Sequence, residues 1–161
     1  MNPTANKIEQ AQSILIIGLG QTGLSCVRFL ARKGFTIAVM DTREQPPGLL
    51  KLQTEYPEVL VKTGGLDSQL MQQADMIVLS PGIDPRMQEI VDAGQAGIEL
   101  VGDVELFARY ANAPIVAITG SNGKSTVTTL LADMAIEAGK IIKVGGNLGT
   151  PSLDLVTEPA P

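Results

Sequence analysis

Apolar residues occur along this chain in short continuous runs, and each run stops at a glycine or a polar residue. The first two runs are Ser13–Ile17 and residues 36–40, and apolar residues at helical spacing lie between them and end at Gly34. A strand without alternation of apolar and polar residues is typically buried on both faces, as in a parallel sheet covered by helices. The start of the chain is therefore predicted to fold as β-α-β.

The same succession of strand and helix patterns continues past the middle of the chain. Further strands are predicted at residues 59–62, 75–80 and 98–101. Helices are predicted at residues 49–55, 66–73, 86–96 and 103–111, with Asp67 and Asp103 as N-caps of the second and the last. Such alternation predicts an α/β fold, with a Rossmann-like parallel sheet in its first part.

A second strand-helix-strand pattern follows. Residues 115–118 form an apolar run, the strongest helical pattern of the chain extends from Val127 to Ala138, and residues 141–144 form another apolar run. This unit is too small to bury a doubly wound sheet of its own. We therefore expect a domain of residues 1–102, followed in residues 103–161 by a second, incomplete α/β unit that is either an extension packed on the first domain or the start of a truncated domain.

The turn inside this second unit has the features of a phosphate-binding loop. Residues 119–126 read TGSNGKST, between a predicted strand and a helix. In a P-loop, backbone N–H groups surround the phosphates, the lysine supplies positive charge and the following hydroxyl binds Mg²⁺. The usual spacing would place glycine at Ile118, so the loop is shortened, and an ordinary β–α turn is the alternative. Residues 103–161 are thus predicted to be the truncated start of a P-loop ATPase domain.

A second glycine-rich loop follows the first strand. Gly18, Gly20 and Gly23 match the pattern G-x-G-x-x-G, and Asp41 ends the second strand. From these residues alone we predict a dinucleotide-binding Rossmann unit, in which Asp41 accepts a hydrogen bond from a ribose hydroxyl. Any nucleoside diphosphate suits the same N–H groups, however, and a glycine turn that serves only packing is the alternative.

Composition limits the remaining possibilities. The net charge of −5 argues against broad binding to nucleic acid or anionic membranes, and the sequence has no apolar run long enough for a transmembrane helix. The chain has no histidine, which excludes Ser-His and Cys-His mechanisms within it. Its one cysteine, Cys26, is expected to be a buried structural thiol. A cytoplasmic protein is the expectation.

Six stretches together resemble the Mur ligase family of peptidoglycan-synthesising enzymes. They are IGLGQTGLS at 17–25, MDTR at 40–43, SPGI at 80–83, GDVELF at 102–107, AITGSNGKST at 117–126 and GGNLG at 145–149. The resemblance covers nearly the whole chain from Ser13, and it accounts for the shortened phosphate loop. It also changes the expected ligand of the first glycine loop from a dinucleotide such as NAD to a UDP-linked substrate, since the Rossmann-like domain of this family holds UDP.

The resemblance implies two sets of site residues. UDP-substrate binding would fall to Gly20, Gln21, Thr22, Asp41, Thr42, Arg43, Gly82 and Asn147. ATP binding would fall to Gly120, Ser121, Asn122, Gly123, Lys124, Ser125 and Thr126. Lys124 would be catalytic, because it neutralises charge on the transferring phosphoryl group, and Ser125 would be a Mg²⁺ ligand.

The implied reaction is ATP-driven amide formation between UDP-N-acetylmuramoyl-L-alanine and D-glutamate through an acyl phosphate. Family members continue through the rest of the ATPase domain and a third domain, and they use further metal-binding residues that have no match in this sequence. The expectation is therefore an N-terminal fragment, inactive in ligation by itself. An NAD-binding module and a non-catalytic nucleotide-binding domain are the alternatives.

Overall fold

Five parallel strands form the centre of the computed structural model, which describes residues 12–146 and 149–156. The strands are β1 (Ser13–Ile17), β2 (Thr36–Asp41), β3 (Leu60–Thr63), β4 (Met76–Leu79) and β5 (Glu99–Gly102). They lie in the order β3-β2-β1-β4-β5, and every neighbouring pair is parallel. The prediction of an α/β fold with a parallel sheet is confirmed.

Six α-helices and one 3₁₀ helix lie among the described residues. The α-helices are α1 (Gln21–Arg32), α2 (Leu49–Glu55), α3 (Ser68–Gln72), α4 (Gln88–Gln95), α5 (Asp103–Tyr110) and α6 (Lys124–Glu137). The 3₁₀ helix is Ser152–Leu155. None of these helices is long and apolar enough to cross a membrane, as far as residues 12–146 and 149–156 are concerned.

The central strand β1 is buried on both faces, as its uninterrupted apolar sequence predicts. Ile14 and Ile16 belong to one apolar cluster, together with Phe29 of α1, whereas Leu15 and Ile17 belong to the cluster on the opposite face. Successive side chains of a strand point to opposite faces, so one run of apolar residues supplies both clusters. Cys26 is also buried, as expected.

One of the two predicted helix caps is correct. The side chain of Asp67 accepts hydrogen bonds from the backbone N–H groups of Gln69 at 2.8 Å and Leu70 at 3.1 Å, so it is the N-cap of α3. Asp103 was expected to cap α5, but the N-cap is Gly102 and Asp103 is the first helical residue. Its carboxyl group is partly buried, and this burial raises its pKa.

The two strands predicted on either side of the P-loop helix are wrong. The described residues 115–118 and 141–144 form neither strand nor helix and join no sheet. Helix α6 itself forms where the pattern predicts it, yet none of its residues is buried. Its apolar side chains are exposed, for example Leu130 at 59% and Met134 at 60%.

Helix α5 packs on β4 and β5, and the 3₁₀ helix packs against α1 and α5. Leu106 of α5 and Leu153 of the 3₁₀ helix are buried in the apolar cluster that contains Val27 of α1. Residues on the C-terminal side of position 102 therefore complete the core of the first unit. The division between two domains at residue 102 stays a prediction.

Candidate nucleotide-binding site

The loops after β1, β2 and β4 meet at the carboxyl edge of the sheet. These three strands are neighbours, with β1 in the middle, and all run in the same direction. The chain progresses outward through β2 and β3 on one side of β1, and through β4 and β5 on the other. Open α/β sheets bind ligands in the crevice at such a switch point.

Two of the three glycines in residues 18–23 are required by the protein's own packing. Gly18 has φ +101°, and a Cβ atom on it would lie 2.8 Å from the Cβ of Ser80. A Cβ atom on Gly23 would lie 2.0 Å from the carbonyl oxygen of Gly18. These contacts bring the first turn of α1 directly against the end of β1.

Gly20 is different, because no atom lies within 4 Å of where its Cβ would be. It is the N-cap of α1, and no side chain caps the N–H groups of the first turn. The first backbone bond of the helix joins the Leu24 N–H to the Gly20 carbonyl at 3.0 Å. The N–H groups that precede it and the helix dipole favour an anion, and the first turn contains no acidic residue.

Asp41 is buried at the end of β2 and holds two parts of the site together. Its carboxylate accepts hydrogen bonds from the Leu19 N–H at 2.6 Å and from the Arg43 N–H at 2.9 Å. It also forms a bidentate pair with the Arg43 guanidinium, with Nε at 2.8 Å and Nη2 at 2.7 Å. The side chain of Asp41 is 1% exposed, whereas that of Arg43 is 53% exposed.

The pKa of Asp41 reflects these contacts. Burial raises it, but the hydrogen bonds from Arg43 and from the Leu19 N–H outweigh burial, so the pKa lies below its usual value. Asp41 is therefore a carboxylate that positions both the glycine loop and Arg43. Both oxygens of Asp41 already accept hydrogen bonds from the protein. The contact of Asp41 with a ribose or uridine stays a prediction.

Sequence reasoning missed the role of Ser80. This buried hydroxyl donates a hydrogen bond to the Gly18 carbonyl at 2.9 Å and so ties the end of β4 to the loop after β1. The small, polar Ser80 directly before Pro81-Gly82 was the available signal. Gly82 is exposed, and nothing lies within 4 Å of its Cβ position.

The phosphate-type loop before α6 is a separate feature. Gly123 has φ +74° and is the N-cap of α6, and no side chain caps this helix. The ammonium group of Lys124 donates hydrogen bonds to the carbonyl of Gly120 and, at 3.4 Å, to that of Ser121. The loop thus places the Lys124 ammonium group close to the uncapped N–H groups at the start of α6. A positive charge beside free N–H groups suits a phosphate group.

The described side chains were compared with the requirements of a metal site. Among residues 12–146 and 149–156, no three or more His, Cys, Asp or Glu side chains come together as metal ligands. Ser125 is exposed at the start of α6, where its hydroxyl is available as one ligand of a metal that phosphates also hold.

The predicted site residues thus fall into two groups. Those at the carboxyl edge of the sheet are Gly20, Gln21, Thr22, Asp41, Thr42, Arg43 and Gly82. Those of the phosphate-type loop are Gly120, Ser121, Asn122, Gly123, Lys124, Ser125 and Thr126. Asn147, the remaining predicted residue, lies outside the described residues.

The sheet order and the glycine loop after β1 define a Rossmann-like α/β unit. Residues 12–102 match the family described as Mur ligase MurD-like, N-terminal domain. The chain belongs to this family.

Curated relatives and solved structures agree with this assignment. The chain is 52% identical over 151 residues to the UDP-N-acetylmuramoylalanine–D-glutamate ligase of Nitrosococcus oceani, covering 94% of this chain and 33% of the relative. Its identity to the ligase of the same name from Pseudomonas aeruginosa is 52% over 144 residues, covering 89% and 32%. A pseudomurein peptide ligase type C from Methanothermus fervidus matches in structure with a TM-score of 0.52 and 26% identity, covering 80% of this chain and 26% of that one. The chain thus spans about one third of the length of the curated relatives it matches.

Proposed function

We propose that this chain contains the UDP-substrate-binding domain and the ATP phosphate loop of a cytoplasmic ligase that joins D-glutamate to UDP-N-acetylmuramoyl-L-alanine. The observation that carries the proposal is the anion site at the carboxyl edge of the sheet. There the uncapped N-terminus of α1 lies next to the open Cβ position of Gly20, at the switch point of the strand order. The names of the relatives that are 52% identical supply the substrates.

The proposed UDP site divides its work between three loops. The N–H groups of Gln21 and Thr22 bind the diphosphate, with Gly20 leaving room for its approach. Arg43 offers the exposed part of a planar cation, which the bidentate pair with Asp41 holds in one orientation. Thr42 lies next to it, and Gly82 lines the opposite side of the same sheet edge. Asn147 is proposed to contact the substrate farther from the nucleotide.

The proposed ATP site is the loop of residues 120–126, with Mg²⁺ held by Ser125 and the phosphates of ATP. Lys124 exchanges its two backbone carbonyl partners for phosphate oxygens. In the reaction, the substrate carboxylate attacks the γ-phosphorus and ADP leaves, which gives an acyl phosphate. The amine of D-glutamate then attacks the acyl carbon, inorganic phosphate leaves, and the amine loses a proton as the amide forms. By neutralising the phosphoryl oxygens, Lys124 lowers the barrier of the first step.

Isothermal titration calorimetry of this chain with UDP tests the proposal. We expect UDP to bind, and Arg43→Ala to weaken binding by about tenfold, which corresponds to one charge-assisted interaction. Arg32→Ala is the control, because Arg32 is an exposed arginine in the last turn of α1, at the opposite end of the helix from Gln21. We expect the control to bind UDP as the unchanged chain does.

Titrations with ATP and NAD separate the alternatives. Lys124→Ala should weaken ATP binding and leave UDP binding unchanged, because the two loops are distinct. Absence of UDP binding at millimolar ligand would contradict the proposal. Binding of NAD in preference to UDP would establish the dinucleotide alternative instead.

A further inference from the structure

The peptide group between Gly18 and Leu19 is hydrogen-bonded from both strands that neighbour β1. Its carbonyl oxygen accepts from the hydroxyl of Ser80, directly after β4, at 2.9 Å. Its N–H donates to the carboxylate of Asp41, the last residue of β2, at 2.6 Å. A peptide group is planar, so bonds at its oxygen and at its nitrogen together fix its orientation. The first turn of the glycine loop is thus held from β2 and β4 at once.

The next peptide group, between Leu19 and Gly20, is held by the loop after β2. Its carbonyl oxygen accepts from the N–H of Gly48 at 3.0 Å. The Gly20 N–H points away from that carbonyl, because the peptide bond is trans. Within residues 12–146 and 149–156, this N–H donates to no acceptor. The two fixed peptide groups therefore set the direction of a donor, next to α1, that the described residues do not use.

Backbone hydrogen bonds keep Ser80 in place independently of its hydroxyl. Its N–H donates to the Ile17 carbonyl at 2.9 Å, and its carbonyl accepts from the Ile83 N–H at 3.0 Å. Ser80 is only 8% exposed, and its bond to the Gly18 carbonyl is buried, so water does not readily replace the hydroxyl as donor. Loss of the hydroxyl thus leaves the end of β4 in place and releases the Gly18 carbonyl.

We infer that Ser80 is a positioning residue for the diphosphate of a UDP-linked substrate. By holding the Gly18 carbonyl, it keeps the Gly20 N–H and the first N–H groups of α1 directed at one place before a ligand arrives. Donors that are already oriented bind more tightly, because the ligand does not have to order them. This inference rests on the proposed function, since it assumes that the diphosphate binds at the N-terminus of α1.

The variant Ser80→Ala tests this inference, and it removes one oxygen without adding an atom. We expect it to bind UDP about fivefold more weakly in calorimetric titration, the effect of one buried hydrogen bond. Exchange of the Leu19 N–H, followed by nuclear magnetic resonance, should become faster, because the peptide group then keeps only its bond to Asp41. Ser80→Cys, whose thiol is a weak donor, should act in the same direction and takes the place of Ser80→Ala if that variant does not fold.

Ser13→Ala is the matched control. The Ser13 hydroxyl donates to the Gln73 carbonyl at 3.1 Å and so joins the start of β1 to the residues before β4, at the opposite edge of the sheet. The control therefore removes the same kind of bond between the same two parts of the chain. In urea unfolding we expect Ser13→Ala to lose at least as much stability as Ser80→Ala, yet to bind UDP as the unchanged chain does.

Uridine separates the diphosphate from the rest of the nucleotide. It lacks the phosphates, so Ser80→Ala should bind it as the unchanged chain does. An unchanged UDP affinity in Ser80→Ala, an equal loss for UDP and uridine, or an equal loss of UDP affinity in Ser13→Ala would overturn the inference, while UDP binding by the unchanged chain would still support the proposed function. Failure of the unchanged chain to bind UDP would overturn both.

Discussion

Replacing each of two glycines in the same loop by alanine separates packing from ligand binding. In Gly23→Ala the new methyl group would lie 2.0 Å from the backbone oxygen of Gly18, and that oxygen cannot rotate away as a side chain can. Relief requires α1 to move away from β1, although the residues on both are buried in the same core. In Gly20→Ala the methyl group meets no atom within 4 Å, and the φ angle of −98° suits any residue.

The expected magnitudes differ accordingly. Overpacking of a filled core usually destabilises a protein by about 1–3 kcal/mol, and a clash with backbone places Gly23→Ala at about 3 kcal/mol. For a chain of this size, that loss lowers the melting temperature by roughly 10 °C. Gly20→Ala reduces the entropy of the unfolded chain but places a poorer residue at the N-cap, so the two effects offset each other to within about 0.5 kcal/mol.

Urea unfolding followed by far-ultraviolet circular dichroism measures the stabilities, since the chain has no tryptophan to report by fluorescence. Calorimetric titration with UDP measures binding. We expect Gly23→Ala to lose stability, and Gly20→Ala to keep stability but bind UDP at least tenfold more weakly, about 1.4 kcal/mol. A Gly23→Ala variant as stable as the unchanged chain would refute the packing argument. A Gly20→Ala variant with full UDP affinity would refute the assignment of the open position to the ligand.

Two further predictions follow from ionisable groups. Because the native pKa of Asp41 lies below its usual value, its contribution to stability is complete above the unfolded-state value of about 4 and is lost as the pH falls through the native pKa. Asp41→Asn should therefore lower the free energy of unfolding by about 1–3 kcal/mol at pH 7, with a smaller difference at pH 3, and a difference independent of pH would contradict this. Burial, and then the charge of Asp103, raise the pKa of the Cys26 thiol from 9.0 to about 12. A disulfide reagent at pH 8 should then label the native chain about a thousandfold more slowly than the chain in urea, and equal rates would show that the thiol is accessible.

The sequence was sufficient to predict the five strands and the glycine turn after β1, because both depend on local patterns. Uninterrupted apolar runs identified β1 and β2, and the glycines of residues 18–23 identified the turn between β1 and α1. The partners of Asp41 were not predictable in this way. Its contact with the Leu19 N–H joins residues 22 positions apart, and only the pairing of β1 with β2 brings them together. The link from Ser80 to Gly18 depends in the same way on the pairing of β1 with β4.

The same dependence explains the two strands that did not form. Residues 115–118 are as apolar as β1, but β1 is hydrogen-bonded on one side to β2 and on the other to β4. Ile115 is 47% exposed and Val116 is 72% exposed, and the described residues provide neither a pairing strand nor a covering helix for them. The backbone N–H and C=O groups of a strand are hydrogen-bonded only by a neighbouring strand. An apolar sequence therefore favours a strand, but the strand forms only where a neighbour is present. A phosphate loop does not depend on that pairing in the same way, because its glycines, its lysine and the first turn of α6 are contiguous in the chain. This is why the loop of residues 120–126 has a well-defined arrangement around Lys124 although the strand expected before it is absent from the described residues.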